Sequence, residues 1–311
     1  MLSRLRHSSL VEPLLQQGGL VRQRGPFSMY WLNGPDGCDA QRAPELVIVH
    51  DLVPERIDNN IGRYVVHDLL PMIQQVRAEY GAVAIYAWPS GTSHEVYTTL
   101  VGMVVWSIHA DVRIAWRWFY QNTLDALADG SSDVDDPTDF IGPFRNIYRR
   151  IADLWAGDSL LDVGTSHGFL PLLLSRWAGA GRAGGVRGVD KNSFLIRIAR
   201  AQAAEQRLPA RFDQVDLFEP AADRLPRFDT VTALHLLEHL PMRRTEDALE
   251  RLWQLTGKRL IVNVPIEAEP NAEFGHEQVF DVPRLERLGS RLDADTRCFE
   301  FHGAWLVADR R

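Results

Sequence analysis

The chain reads as an α/β protein built on a mainly parallel sheet, and three features predict this. From residue 158 onward, short apolar runs alternate with stretches of helical length, the pattern of strand-helix-strand units with right-handed crossovers. The first of those runs, Leu160–Val163, ends in a tight loop holding Gly164 and Gly168, and the next ends in Asp190. Glycines in a first strand-to-helix turn let a ligand approach the backbone, and a carboxylate about twenty residues on can hydrogen-bond a ribose diol. At the C-terminus, Thr296–His302 and Ala304–Ala308 flank His302-Gly303 as an antiparallel hairpin. Seven strands, one of them reversed, are the expected sum.

Taken in order, residues 1–45 carry scattered Gly, Pro and Arg with weak periodicity and are expected to form an irregular leader with a turn at Asn33–Gly37. Glu45–His50 reads as a strand. From Pro54 the spacing of Ile57, Ile61, Tyr64, Val65, Leu69 and Met72 predicts helix. Ala82–Trp88 is an expected strand, followed by helices over Val96–Ile108 and Ile114–Leu127. Their aromatic stripe of Trp106, Trp116, Trp118, Phe119 and Tyr120 is read as core. Asp129–Asp139 is acidic, turn-rich and apolar-poor; it is expected to be a linker or lid, with Asp133, Asp135 and Asp136 as a weaker cation-site candidate. Pro143–Trp155 follows as an amphipathic helix with Phe144, Ile147, Ile151 and Leu154 on one face. Parallel strands are then expected at Leu160–Val163, Gly185–Val189, Ala210–Val215, Asp229–Leu234 and Arg259–Val264. The domain boundaries read as 1–128, a linker or lid over 129–142, and 143–311, the first domain being α/β or mostly helical.

Bulk properties narrow the function classes. The 311 residues are 45% hydrophobic, ample for a core in two domains. A net charge of −7 argues against a protein that grips long nucleic acid through its phosphates. Two distant cysteines, Cys38 and Cys298, suit a reducing cytoplasm and exclude a cysteine-based zinc site. The most apolar stretch, Tyr97–Ile108, is too short to span a bilayer, so no membrane insertion is expected.

The loop itself reads Asp162-Val-Gly164-Thr-Ser166-His-Gly168. An acid two residues before the first glycine would repel a pyrophosphate but suits a cationic ligand. The run resembles motif I of class I S-adenosylmethionine-dependent methyltransferases, Asp/Glu-x-Gly-x-Gly-x-Gly, with Ser166 in place of the middle glycine. The resemblance implies a Rossmann-like seven-stranded sheet with one antiparallel strand, and S-adenosylmethionine as cofactor. Its site would comprise Asp162, Gly164, Ser166 and Gly168 in the loop, and Asp190 on the ribose. Asp216 and Leu217 would lie at the adenine, and Leu234 at the end of the fourth strand.

A second constellation follows that strand: Leu234-His235-Leu-Leu-Glu238-His239-Leu-Pro241. On a helix, His235, Glu238 and His239 share one face. Two readings stand. In one, the segment is a metal-free floor beneath cofactor and substrate, with His239 or His235 as general base, since an imidazole titrates near neutral pH. In the other it resembles the small-RNA 3′-terminal 2′-O-methyltransferases and, less closely, the ubiquinone-pathway O-methyltransferases. That implies a divalent cation on Glu238, His239 and a later histidine, with His276 as the candidate. His235 stands where that pattern has its first glutamate, and a set of His235, Glu238, His239 and His276 suits Mn, Fe, Co or Zn better than Mg.

The expected function is therefore O-methylation of a hydroxyl on a small-molecule or carbohydrate acceptor. The N-terminal domain would serve substrate recognition or homodimerisation. RNA 2′-O-methylation is disfavoured by the acidic balance, and a non-catalytic S-adenosylmethionine-binding scaffold by the intact loop. In overall composition the chain also resembles the actinobacterial methyltransferases that cap the mycofactocin oligosaccharide, which implies a sugar hydroxyl as acceptor.

Overall fold

A computed structural model of the protein describes residues 5–7, 20–31, 46–80, 91–129, 139–178 and 185–311. The chain divides into two compact units, Met1–Gly142 and Pro143–Arg311. The expected strand at 82–88, the turn at 33–37, Cys38 and the acidic residues Asp133, Asp135 and Asp136 lie outside the described residues.

The first unit is α/β. Strands β1 (Leu5–His7), β2 (Leu20–Arg24), β3 (Phe27–Trp31) and β4 (Leu46–His50) form a four-stranded sheet in the order β1-β4-β3-β2. The expectation of an irregular leader over residues 1–45 is thus corrected for its described part. Phe27 and Met29 alternate inward and are fully buried, but Tyr30 and Trp31 beside them hide the two-residue period from a sequence reading. Helices α1 (Ile61–Tyr64) and α2 (Leu70–Tyr80) are joined by a π turn over Val65–Leu69. Ile57, Ile61, Val65 and Leu69 are all fully buried. A strict four-residue spacing drifts around an α-helix of 3.6 residues per turn, and the wider turn absorbs the drift. Helix α3 (Ser93–Ser107) opens with a capping box between Thr92 and Glu95, and α4 (Val112–Asp129) buries Phe119 and Tyr120 while Trp106 stays exposed.

The second unit holds the predicted seven strands: β5 (Leu160–Val163), β6 (Val186–Asp190), β7 (Arg211–Gln214), β8 (Phe228–Leu234), β9 (Thr256–Val264), β10 (Ala294–Glu300) and β11 (Ala304–Arg310). Their order is β10-β11-β9-β8-β5-β6-β7. All pairings are parallel except those of β11, which runs against both β9 and β10. Among the described residues, helices α5 (Gly142–Leu154), α6 (Phe169–Trp177), α7 (Ser193–Glu205), α8 (Thr245–Leu255) and α9 (Val282–Gly289) accompany the sheet. The sheet is packed on both faces: Ile147 and Ile151 of α5 meet Ile261, Trp305 and Val307 on one, and Leu249 and Leu252 of α8 meet Val231, Leu260 and Val262 on the other. This is the Rossmann-like seven-stranded architecture with one antiparallel strand. From β5 the chain steps outward to β6 and β7 and then crosses back to β8 on the other side of β5, so the crevice outside the carboxyl ends of β5 and β8 is where an open α/β sheet binds ligands. Both sequence constellations emerge there. Among the described residues no helix is long and apolar enough to cross a membrane.

Candidate functional site

The glycine loop is fixed by its backbone. The N–H groups of Gly164 and Thr165 both donate to the Val189 carbonyl, at 2.9 and 3.0 Å, and Gly168 N–H donates to Thr165 O at 2.8 Å. Gly164, Ser166 and Gly168 all have positive φ, at 75°, 51° and 79°. That Ser166 adopts the left-handed region identifies its position as one a glycine would occupy without strain. A Cβ on Gly168 would lie 2.6 Å from the Phe212 ring and 2.8 Å from the Ala199 methyl, so close packing as well as φ selects glycine there.

Two carboxylates bracket this loop. Asp190, at the tip of β6, accepts Ser166 N–H at 2.9 Å on one oxygen and Asn192 N–H at 2.8 Å on the other. Each oxygen keeps a second lone pair for a ligand. Asp162 is buried and accepts the Thr232 hydroxyl at 2.7 Å. Burial pushes its carboxyl up to about 6, with the nearby Asp190 acting in the same sense and hydroxyl donors opposing. A cation placed beside this acid would favour its ionised form and offset the cost of burying the charge. After β7, Asp216 accepts the Phe218 N–H at 2.9 Å. Leu217 belongs to the core and its carbonyl accepts from Arg251, while Leu234 packs toward α5.

Beyond β8 the chain forms a 3₁₀ turn over Leu237–His239, not the α-helix on which one shared face was expected. His235 precedes the turn with a φ of 48°. Even so, ligand atoms of Glu238, His239 and His276 lie within 4.8 Å of one another. The loop bearing His276 is tied to the turn by Glu277 N–H, which donates to Glu238 O at 2.7 Å. The Gln278 side-chain amide, 3% exposed, donates to the carbonyls of Leu237 and Leu240 at 2.9 and 2.7 Å. Each histidine of the group is held by its Nδ1: His239 lies 3.1 Å from Gly275 O, and His276 lies 2.7 Å from Glu267 Oε2. An Nδ1–H donated to an oxygen leaves Nε2 with its lone pair free, the arrangement usual for metal-ligating imidazoles. Burial lowers the His239 pKa, with Glu238 and the Gly275 carbonyl opposing, so the ring is neutral at pH 7.

Glu238 itself is 1% exposed; neither carboxylate oxygen makes a hydrogen bond of good geometry, and Oε1 has His235 Nδ1 at 3.2 Å. A buried charge in that state is costly unless a cation completes it. His235 is not part of the three-residue group. Its ring lies 4.9 Å from that of Phe144, its Nδ1 is 3.2 Å from Glu238 Oε1, and its Nε2 is buried without a partner. Sequence reasoning missed Glu267, Gln278 and the Gly275 carbonyl, which orient the group; only the proximity of Gly275 and Gln278 to His276 hinted at two of them.

The two constellations touch: a Cβ added to Gly164 would lie 2.9 Å from Leu236 Cδ1. The loop and the turn thus meet at the sheet's switch point. Residues 160–258 match the methyltransferase domain family. That domain covers β5 through the start of β9. The chain is 35% identical over 85 residues to a ubiquinone biosynthesis O-methyltransferase of Alkalilimnicola ehrlichii, covering 27% of this chain and 32% of that protein. It is 32% identical over 105 residues to the protein of the same name in Nitrosococcus oceani, covering 34% and 42%. The chain thus spans less than half the length of these relatives. Among solved structures, an O-methyltransferase family protein from Burkholderia thailandensis superposes with a TM-score of 0.48 at 12% identity, over 66% of this chain and 62% of that one.

Proposed function

We propose that the protein is an S-adenosylmethionine-dependent O-methyltransferase acting on a hydroxyl of a small-molecule or carbohydrate acceptor, with a divalent cation at Glu238, His239 and His276. The observation that carries this reading is the buried Glu238 carboxylate, without a hydrogen bond of good geometry and with His235 Nδ1 at 3.2 Å, beside two oriented imidazoles and next to a glycine loop of methyltransferase type. Asp190 would hold the ribose diol through its free lone pairs, and Asp162 would face the cationic end of the cofactor. The sulfonium brings its own leaving group, so the acceptor needs only in-line placement and loss of its proton. A cation on the three ligands would polarise the acceptor hydroxyl and lower its pKa; one carboxylate with two imidazoles suits Mn, Fe, Co or Zn. His235 is assigned the proton. With Nδ1 toward Glu238 Oε1, its Nε2 is the basic atom, and an imidazole is matched to neutral pH. A sugar acceptor, such as an oligosaccharide terminus, fits because neighbouring hydroxyls can be held as a pair. The N-terminal unit is assigned acceptor recognition or homodimerisation.

The test is transfer of a labelled methyl group from S-adenosylmethionine to a panel of sugars and simple diols. Transfer should be suppressed by a chelator, restored by Mn, and reduced in His235→Ala without loss of Mn or cofactor binding. Full transfer in thorough chelator, with His276→Ala unimpaired, would remove the metal and leave a histidine acting alone as base.

A further inference from the structure

A cleft of about 490 Å³ opens between the segment Met242–Glu246 and helix α9, lined by Arg243, Arg284, Arg287 and Arg291 against a single acid, Glu246. In a chain of net charge −7, four guanidinium groups facing one space is a concentration that self-repulsion opposes. Two of the four are already engaged. Arg291 pairs with Glu246 at 2.8 Å, and Arg284 donates to the Val279 carbonyl and the Gln278 side-chain oxygen. Those acceptors are neutral, and Arg284 makes no ion pair among the described residues. Burial lowers the pKa of Arg284; Asp281 opposes this and Arg287 adds to it. Arg243 and Arg287 make no ion pair among the described residues.

We propose that this cleft binds a phosphate group. A tetrahedral dianion accepts from several guanidinium forks at once and neutralises the excess charge, whereas a single carboxylate satisfies only one fork. The cleft is also linked by hydrogen bonds to the turn that bears Glu238. Arg284 holds Gln278, and Gln278 holds the carbonyls of Leu237 and Leu240 on either side of Glu238 and His239. An anion that draws Arg284 into the cleft therefore acts on the segment bearing two of the three candidate metal ligands. The site goes beyond the methyl-transfer reading, and its binding can be measured with no methyl transfer taking place.

The experiment is calorimetric titration of the full-length protein at low ionic strength with inorganic phosphate and, separately, with ribose 5-phosphate and ribose. The double variant Arg243→Gln/Arg287→Gln serves as comparison; both side chains are exposed, and thermal unfolding checks that its fold is kept. Phosphate should bind the wild type, and the variant should bind it at least about tenfold more weakly. Equal affinity for inorganic phosphate and ribose 5-phosphate would identify a free-phosphate site. Tighter binding of the sugar phosphate, with no binding of ribose, would identify a phosphate carried on a larger ligand. Failure of phosphate to bind, or unchanged affinity in the double variant, would overturn the proposal while leaving the methyltransferase reading untouched.

Discussion

Asp162 is a carboxylate that the fold holds in an environment favouring its neutral form. Its pKa stands at about 6 against the usual 3.8, so between those values the folded protein keeps a proton that the unfolded chain has lost. The resulting stabilisation is complete below about pH 4 and is lost as pH rises through 6, on the order of 3 kcal/mol in full. His167, pushed down to about 4 by burial, acts in the opposite sense over the same window. The difference between Asp162→Asn and the wild type isolates the carboxylate. Urea unfolding at pH 4.5 and 7 should show the variant gaining stability relative to the wild type at the higher pH, and parallel curves would refute the assignment. The same variant should bind S-adenosylmethionine more weakly, because a cation favours the ionised acid. Glu267 supports His276 from behind, through a 2.7 Å contact. Glu267→Ala is expected to weaken Mn affinity by about tenfold or more, the usual effect of losing such a partner; a competition assay with a metal indicator reads it directly.

Elements explain which parts of this architecture could be read from the sequence. The glycine loop, Asp190 and the seven strands were legible because each carries a local signal: a positive-φ residue, a strand-tip acid, an apolar run bounded by turns. Strand β3 was not, because Tyr30 and Trp31 mask its alternation, and the 3₁₀ turn after β8 was not, because the spacing of His235, Glu238 and His239 is equally compatible with an α-helix. The positioning of His276 by Glu267 depends on a tertiary fold of the 264–281 loop that no spacing announces. At this scale the sharpest prediction is Gly168→Ala. The new methyl would meet Phe212 and Ala199 at a φ of 79°, and a loss of about 1–3 kcal/mol is expected from crowding and backbone strain together. An unfolding midpoint equal to the wild type's would show that the loop is less tightly packed than this geometry requires.

For the whole molecule, the seven-stranded unit carries its own two-faced core, with Trp305 and Phe280 among its largest fully buried side chains. A fragment of residues 143–311 should therefore unfold cooperatively by circular dichroism; a gradual, non-cooperative melt would show that the unit depends on the preceding residues. Its fold was legible because strands and helices alternate in sequence as they do in space, whereas the acceptor leaves no such trace, since it is chosen by side chains that meet only after folding. The central claim is that the loop after β5 and the acid at the tip of β6 form an S-adenosylmethionine site. Its most direct test is calorimetric titration of S-adenosylhomocysteine into the full-length protein and into Asp190→Ala. One-to-one binding should be seen in the wild type and be weakened by about 1.5–3 kcal/mol in the variant, as the hydrogen bonds to the ribose diol are lost. Absence of binding to the wild type, or equal affinity in Asp190→Ala, would contradict it.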